Sequence, residues 1–350
     1  MAFEIQNAKV YKQTNSLEDT VLISGNFNLK TTKVKLNKHS DLLLSAESVL
    51  LNAKQFALSK SGLKVSLPFK VSSQNLRIGK ADKKLSADLN ISTNNGQIDY
   101  LKDSATLNVK NIELNYDDKH FIKRSDEPVA WDKLLAKTSL KRAEISYQSK
   151  SANLEAKDLK WNPQSKSLSI ADFAYKPEFS LAETKLKKPY QSDYITGSAK
   201  SITVNDINLT ELKLKKTLEI KSVLIDSAKL NVSRDKRMAE KNIAEKLMPS
   251  KLLAGIKSEF SIGEVKLCNS DVYIHETSIA TGLEGTIPLN NINVGVYKLT
   301  NRFKEKDSIE VSGTALLMNA NKIALNYRES YADSLSGFKM NMQIQPIDLT

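Results

Sequence analysis

A short hydrophobic pattern is repeated along most of the chain. In residues 223–232 the apolar positions are Val223, Ile225, Ala228, Leu230 and Val232, and mostly polar residues stand between them. Alternation with a period of two predicts a strand with one apolar face, because successive side chains point to opposite sides of a sheet. The step from Ile225 to Ala228 is three residues, so a β-bulge at Asp226-Ser227 is needed to keep both on one face.

Eight further segments show two alternating apolar residues, a polar pair and then renewed alternation. They are residues 3–10, 51–58, 107–116, 154–161, 168–175, 202–209, 260–267 and 287–294. Their spacing is irregular, which excludes a solenoid of fixed period. The pattern therefore predicts a mainly β protein. Residues 42–58 are rich in leucine, but their match to the pattern favours strands over a helix.

A few segments interrupt the β pattern. Asp126-Glu127-Pro128 precedes a short predicted helix near 128–138, since acidic residues and proline favour the first turn. KADKK (80–84) and STNNGQ (92–97) predict turns. Residues 236–257 predict a helical insertion that packs on a sheet end or plugs an open mouth, or alternatively lies on a membrane surface. Prolines 177 and 189 suggest segments 1–180 and 181–350, unless the chain forms one continuous elongated domain.

The chain is basic, with 52 Lys and Arg against 40 Asp and Glu and a net charge of +12. The lysines are spread along the polar phase of the alternation, which is typical of a solvated sheet face and of protected edge strands. Attraction to anionic lipid head groups is the alternative. Nucleic acid is not an expected partner, because the basic residues are not interleaved with a repeated aromatic platform.

Residues that could support catalysis or metal binding are sparse. The single cysteine, Cys268, excludes an internal disulfide and a cysteine-based zinc site. His39, His120 and His275 have no partner at metal-ligand spacing. No catalytic residue, metal or cofactor is predicted, and an enzyme would require a pocket that unites His275, Glu276 and a distant carboxylate.

No apolar stretch is long enough for a spanning helix. Alternation runs into both ends, so we expect a fragment of a longer protein.

The second half of the chain resembles a known family. IGEVKLCNSDVYIHETSIATGLEGTIPLNNINVGVYKLTN (262–301) is similar to a segment of AsmA-like proteins, in which a strand of the type V-x-L-x-N-S-x-V-x-Y is followed by one of the type I-x-L-x-N-I-N. SIEVSGTALLMNANKIALNY (308–327), FKMNMQIQPIDLT (338–350) and VLIDSAKLNVSRDK (223–236) resemble neighbouring strands of that family. The resemblance covers residues 200–350, whereas the first part shares only the strand pattern.

The resemblance implies a fold, a location and a function. It implies an elongated, curled, antiparallel-rich β-sheet that forms an open groove, with one or two short helical insertions. It also implies a periplasmic protein of the Gram-negative envelope, whose full-length parent is anchored in the inner membrane. The implied function is non-enzymatic transfer of phospholipid or another acyl-chain lipid between membranes. The family's anchor helix is missing from this sequence, and no envelope protein partner is identified.

Twelve residues are candidates for the lining of such a groove. They are Val223, Ile225, Ala228, Leu230, Val232, Val265, Leu267, Val272, Ile274, Ile292, Val294 and Val296. The same alternation is expected of a β-sandwich whose two sheets cover each other, which would indicate a structural scaffold or a protein-interaction module. The pattern alone leaves both readings open, and the resemblance favours the groove.

Overall fold

A computed structural model describes most of the chain. The residues outside the description are 1, 13–20, 37–41, 80–82, 125, 129, 189, 241–246, 303–306, 332–336 and 346–350, together with the side chains of 2–12, 21–23 and 42. The described chain is mainly β, as the alternation predicts. It divides into two compact units: unit 1 contains residues 1–148 and 158–164, and unit 2 contains 149–157 and 165–350. The predicted boundary at 180/181 falls inside unit 2.

Unit 1 is a sheet of antiparallel neighbours. Its strands are β1 (Ala2–Lys12), β2 (Val21–Thr32), β3 (Lys35–Leu36), β4 (Leu42–Lys60), β5 (Leu63–Ser66), β6 (Phe69–Gly79), β7 (Lys84–Lys102), β8 (Ala105–Arg124) and β9 (Thr138–Gln148). The main succession of paired strands is β1, β2, β4, β6, β7, β8 and β9, with β3 and β5 as short additions. Strand β4 confirms that the leucine-rich residues 42–58 are extended. Strand β10 (Ala152–Asn162) is divided between the two units.

Unit 2 is a meander with one parallel step. Its strands are β11 (Ser167–Pro177), β12 (Tyr194–Ile207), β13 (Leu218–Asp235), β14 (Phe260–Thr277), β15 (Glu284–Thr300), β16 (Ser308–Leu317), β17 (Asn321–Ser330) and β18 (Phe338–Ile344). Each strand pairs antiparallel with the next, except that β13 and β14 are parallel. Parallel neighbours need a crossover connection. Residues 236–259 provide it, which explains why the β pattern is broken there.

Four short helices are present in the described residues. They are α1 (Trp131–Leu135), α2 (Leu181–Lys187), α3 (Leu209–Lys215) and α4 (Pro249–Ala254). Helix α1 confirms the helix expected near 128–138, although it is shorter. Helix α4 is the one helix among the described residues of the insertion predicted at 236–257. The prediction is wrong for residues 236–240, which form a turn and an isolated bridge between Ala239 and Tyr190, and residues 241–246 lie outside the description.

Two helices of unit 2 were not predicted from the sequence. Helix α2 begins with a capping box, in which Ser180 and Glu183 satisfy each other's backbone N–H groups. Helix α3 begins at Leu209, which the pattern assigns to a strand. The assignment is wrong because the Asn208 side chain accepts a hydrogen bond from Glu211 N and thereby caps a helix.

The predicted bulges are present at most of the polar pairs. The second residue of the pair adopts a left-handed conformation at Asn111, Asp158, Asp172, Asp206, Ser227 and Asn291, with φ between 49° and 54°. Asparagine and aspartate tolerate this region better than other non-glycine residues. The bulge therefore keeps the apolar residues before and after it on one face.

Two predictions about strand interruptions are wrong. STNNGQ (92–97) is not a turn, because β7 continues through it with a left-handed bulge residue at Asn95. In β14 the left-handed residue is Asn269, beyond the predicted pair Gly263-Glu264. Gly263 instead allows close approach of strands, because a Cβ there would lie 2.7 Å from the carbonyl oxygen of Lys221.

The bulge positions predict which substitutions unit 2 tolerates. Asn291 has φ 49° and an exposed side chain, so a valine there must adopt a backbone conformation that β-branched residues avoid. We expect Asn291→Val to lower the free energy of unfolding by about 1–3 kcal/mol. The matched variant Asn291→Gly should change it by less than half as much, as measured by urea denaturation. Equal losses would contradict the bulge interpretation.

Candidate functional site

All twelve candidate lining residues lie on three neighbouring strands, β13, β14 and β15. Directly opposite residues on paired strands point to the same face of a sheet. Five rows cross the strands: Val223–Val265–Val296, Ile225–Leu267–Val294, Ala228–Ser270–Ile292, Leu230–Val272–Leu289 and Val232–Ile274–Ile287. We call these five rows the apolar face. The structure thus brings together residues that are up to 73 positions apart in the sequence.

The bulges of β13 and β14 are aligned across the sheet. The register pairs Asp226 with Cys268 and Lys229 with Asp271, so that Ser227 and Asn269 occupy equivalent positions. Both have positive φ, 51° and 49°. Because both strands insert the extra residue at the same level, the apolar face continues on the same side above and below the bulges.

A hydrogen-bond network fixes this bulge row. Asn269 Nδ2 donates to Asp226 Oδ1 at 2.9 Å, and Asn291 N donates to Asp271 Oδ1 at 3.1 Å. The bond from Asn269, followed by that from Ser227, lowers the pKa of Asp226. The middle row of the apolar face is tied down by Ala228 N, which donates to Ser270 Oγ at 3.0 Å. The polar pairs of the pattern therefore hold the apolar residues in register.

The apolar face is not sealed by protein. Of the twelve candidates only Ile292 is buried, and the other eleven are half-buried. In a sandwich, apolar residues at the centre of the longest strands would be covered by the facing sheet. Strands β13 and β14 have 18 residues each and are the centre of the described unit 2 sheet. Their bulky aliphatic side chains lie side by side in the rows of the face and remain partly accessible to solvent.

The buried apolar residues of the described chain are few and small. Twelve are buried, and six of them are alanines: Ala46, Ala53, Ala87, Ala143, Ala156 and Ala199. A small side chain between larger neighbours on a sheet is covered without a second layer. The chain of 39.0 kDa exposes 22961 Å². Two separate globular proteins of half that mass would together expose about 17,000 Å². Sparse burial and excess surface both indicate faces without a covering layer.

The apolar face extends over strands that the twelve candidates do not include. On β12, Ile202 and Val204 lie opposite Ile225 and Val223. On β16, Val311 lies opposite Val296, and the face continues through β17 to β18. The apolar residues of β18, Phe338, Met340, Met342 and Ile344, are each about half exposed. The alternation of FKMNMQI carries the signal that identifies this extension.

Helix α4 packs at one end of the described unit 2 sheet. The carboxylate of Glu329 on β17 has no exposed surface and accepts hydrogen bonds from Ser250 N at 3.3 Å and from Ser250 Oγ. It also accepts one from Tyr327 Oη at 2.8 Å. Burial, aided by Glu329, raises the pKa of Tyr327. Ile309 and Tyr331 are also buried at this end. The expectation that the helical insertion packs on a sheet end is confirmed for its described part.

The contact between Ser250 and Glu329 predicts a local effect on stability. Glu329→Ala removes the acceptor and leaves the hydroxyls of the buried Ser250 and the half-buried Tyr327 without this partner. We expect a loss of about 2–4 kcal/mol in the free energy of unfolding, because buried donors become unsatisfied. Glu310→Ala, which removes a partly exposed carboxylate from neighbouring β16, should cost less than about 1 kcal/mol. Urea denaturation of both variants measures the difference, and similar losses would exclude a buried anchor.

The groups considered for catalysis have local partners. His275 Nδ1 lies 2.9 Å from Thr286 Oγ1, and Glu276 Oε2 lies 2.7 Å from Lys236 Nζ. As successive strand residues, His275 and Glu276 point to opposite faces. Cys268 is half-buried in β14, and His39 lies outside the described residues. Within the described chain, no three His, Cys, Asp or Glu side chains are grouped so as to hold a metal ion.

A concavity of mixed polar and apolar lining lies in unit 1. It is lined by Asn28, Lys30, Asn52, Ala53, Lys54, Pro68, Phe69, Lys70, Ser92, Thr93 and Asn94. The rows that connect Asn28, Asn52, Lys70 and Ser92 across four strands place these residues on one face. The lining also includes the alternate row Ala53–Phe69–Thr93, so the concavity is not confined to one face of the sheet.

Comparisons with known proteins do not assign the chain to a family. No family model matches the sequence, and no curated protein matches it. Among solved structures, the WD40 domain of SCAP from fission yeast aligns with 99% of this chain and 89% of its own, at 6% identity and a TM-score of 0.11. In the described residues no helix is long and apolar enough to cross a membrane.

Proposed function

We propose that unit 2 binds the acyl chains of lipids along the apolar face of β13, β14 and β15, and that it works as a non-enzymatic segment of a lipid-transfer protein. The observation that carries this proposal is the half-burial of eleven of the twelve lining residues. A continuous apolar surface that the protein does not cover favours a ligand or a partner. The resemblance to AsmA-like proteins supports the same function and a place in the periplasm.

The dimensions of the apolar face suit an acyl chain. From Val223 to Val232 the strand advances about 30 Å, at about 3.3 Å per residue. This is about the thickness of the hydrocarbon core of a bilayer, so it exceeds the length of one leaflet's acyl chain. Three strands give a width of about 10 Å between the outer two. One or two extended chains could therefore lie along the strands.

The chemistry of the apolar face favours sliding over fixed binding. Its five rows consist of Val, Ile, Leu and Ala, apart from Ser270, whose hydroxyl donates to Cys268 O. A small molecule held in one orientation would need convergent polar groups. An acyl chain gains about 0.8 kcal/mol for each methylene removed from water, wherever it lies along the face. Uniform aliphatic rows thus provide affinity without a unique bound position.

A direct test is lipid recovery and uptake. We expect native mass spectrometry of the purified chain to detect bound phospholipid, and the lipid-free chain to take up a fluorescent phospholipid. Protein that is recovered without lipid, and that takes up none, would contradict the proposal.

The alternative is a structural scaffold or protein-interaction module, in which a partner protein covers the apolar face. That alternative predicts no uptake of lipid by the isolated chain.

A further inference from the structure

Helices α3 and α4 lie at the same end of the unit 2 sheet. Helix α3 leads into the start of β13, and the segment after α4 leads into the start of β14, its parallel neighbour. Thr217, fully buried between them, donates from Oγ1 to Glu259 Oε2 at 2.9 Å. Leu218 N donates to Glu259 O at 2.9 Å. The two helical segments therefore meet at the starts of β13 and β14, and we call this region the helical end.

Two bulky apolar residues of the α4 segment are exposed. Helix α4 directs Ser250 inward, where it is 2% exposed and bonded to Glu329, whereas Leu252 is 59% exposed. Ile256, which follows the helix, is 46% exposed. A helix on a soluble protein usually buries its apolar stripe and exposes its polar one. Leu253 follows this rule and is half-buried, whereas Leu252 and Ile256 form an exposed apolar patch.

Helix α3 also exposes one of its leucines, whereas Leu209 and Leu212 are half-buried. Leu214 is 69% exposed on the last turn of the helix, between Lys213 and Lys215. Lys216 follows in a left-handed conformation with φ 58°, which ends the helix. Both helical segments thus present exposed leucine or isoleucine beside lysine. Neighbouring apolar and cationic side chains are typical of protein surfaces that lie in a membrane interface.

The charge of the helical end is positive. Its cations are Lys213, Lys215, Lys216, Lys251, Lys257 and Arg302, and its carboxylates are Glu211, Glu219, Glu259 and the buried Glu329 beneath α4. Three of these carboxylates contact a cation: Glu211 contacts Lys215 at 2.9 Å, and Arg302 contacts Glu219 at 3.3 Å and Glu259 at 3.4 Å. Among these described residues the cations exceed the carboxylates by two. The excess positive charge is complementary to an anionic surface.

We propose that the helical end docks on the surface of an anionic phospholipid bilayer, with Leu214, Leu252 and Ile256 inserted at the level of the head groups and the lysines in contact with lipid phosphates. Docking does not require that the apolar face carries lipid. If the proposed function also holds, docking at this end places the near end of the apolar face against the bilayer from which chains enter or leave.

The test is flotation of the full chain with vesicles of phosphatidylcholine, either alone or with 30% phosphatidylglycerol. We expect binding to the anionic vesicles that weakens with salt, and little binding to neutral ones. Lys251→Gln with Lys257→Gln should reduce the partition coefficient roughly 25-fold, at about fivefold per lysine. Leu252→Ser with Ile256→Ser should reduce it at least tenfold. All four positions are on the surface, and unchanged thermal unfolding verifies that the variants are folded.

Matched controls distinguish docking through the helical end from nonspecific adsorption of the chain to vesicles. Leu186→Ser changes an 86% exposed leucine of α2, and Lys229→Gln changes an exposed lysine at the centre of β13. Neither should change the partition coefficient by more than twofold. Equal loss in the controls, equal binding to neutral vesicles, or no binding to either would overturn the proposal. Concentration-dependent self-association that Leu252→Ser abolishes would reassign the surface to a second copy of the chain.

Discussion

The variant Leu230→Asp is expected to remain folded and to lose lipid binding. Leu230 is half-buried in the fourth row of the apolar face, opposite Val272. On an unsealed face the carboxylate can stay hydrated, so we expect a loss of only about 1–2 kcal/mol in the free energy of unfolding. An acyl chain that passes over this position would have to desolvate the charge. Uptake of fluorescent phospholipid should therefore fall at least tenfold.

The matched control for this variant is Leu224→Asp. Leu224 is 38% exposed on the same strand, and it pairs with Lys266, whose side chain lies on the polar face. Its replacement should preserve both folding and lipid uptake. If unit 2 instead covers Leu230 in a sealed core, the unpaired charge would cost several kcal/mol and the variant would unfold. Unfolding of Leu230→Asp alone would thus exclude an open apolar face.

The variant Ala228→Trp is expected to obstruct the apolar face without adding charge. Ala228 lies in the middle row, opposite Ala199 on β12, which is 6% exposed. A tryptophan at this position would stand above its small neighbours and interrupt the path along the strands. We expect uptake of fluorescent phospholipid to fall at least fivefold. The thermal unfolding temperature should stay within a few degrees of that of the parent chain, because the tryptophan ring adds apolar contact on an open face.

The result also distinguishes the two readings of the β pattern. In a sandwich the added ring would overpack the core and destabilise it by about 1–3 kcal/mol or more. Lys229→Trp adds the same ring at the neighbouring position, where the exposed side chain points to the opposite face of the sheet. It should leave uptake unchanged. Equal uptake by Ala228→Trp and the parent chain would contradict a path along this face.

The sequence predicted the strands of unit 2 well because its period and its exceptions have a local physical cause. The three-residue step between Ile225 and Ala228 requires an extra residue, and Ser227 supplies it at φ 51°. The candidate residues then align into rows, because the apolar segments before and after the bulge are separated by the same number of residues in β13 and in β14. Register therefore follows from the pattern of each strand and needs little further information.

Other features depend on contacts that no local pattern encodes. The anchoring of α4 requires Glu329, which is 79 residues away from Ser250 and stands at a position that alternation alone would fill with an apolar residue. The helix α3 was missed because Leu209 continues the strand spacing, while the capping bond of Asn208 determines the outcome. The parallel pairing of β13 and β14 was also not predicted, because strand direction depends on the crossover and not on the alternation.

The degree of burial could not be predicted from the sequence for a different reason. A strand whose apolar residues face a second sheet and one whose apolar residues face a lipid have the same alternation. Only the structure distinguishes half-buried residues such as Val265 and Val294 from fully covered ones. Small buried residues such as Ala199 mark the same surface, because neighbouring side chains on one sheet suffice to cover them.

Photo-cross-linking along β13 and β14 tests the open apolar face most directly. A benzophenone amino acid would replace Leu230, Val272 or Val294 on the apolar face, and Leu224 or Lys266 on the polar face, in chain loaded with phospholipid. We predict lipid adducts, identified by mass spectrometry, at the first three positions and none at the other two. Adducts at both sets of positions, or intramolecular protein cross-links in place of lipid at the first three, would contradict a face left open for acyl chains.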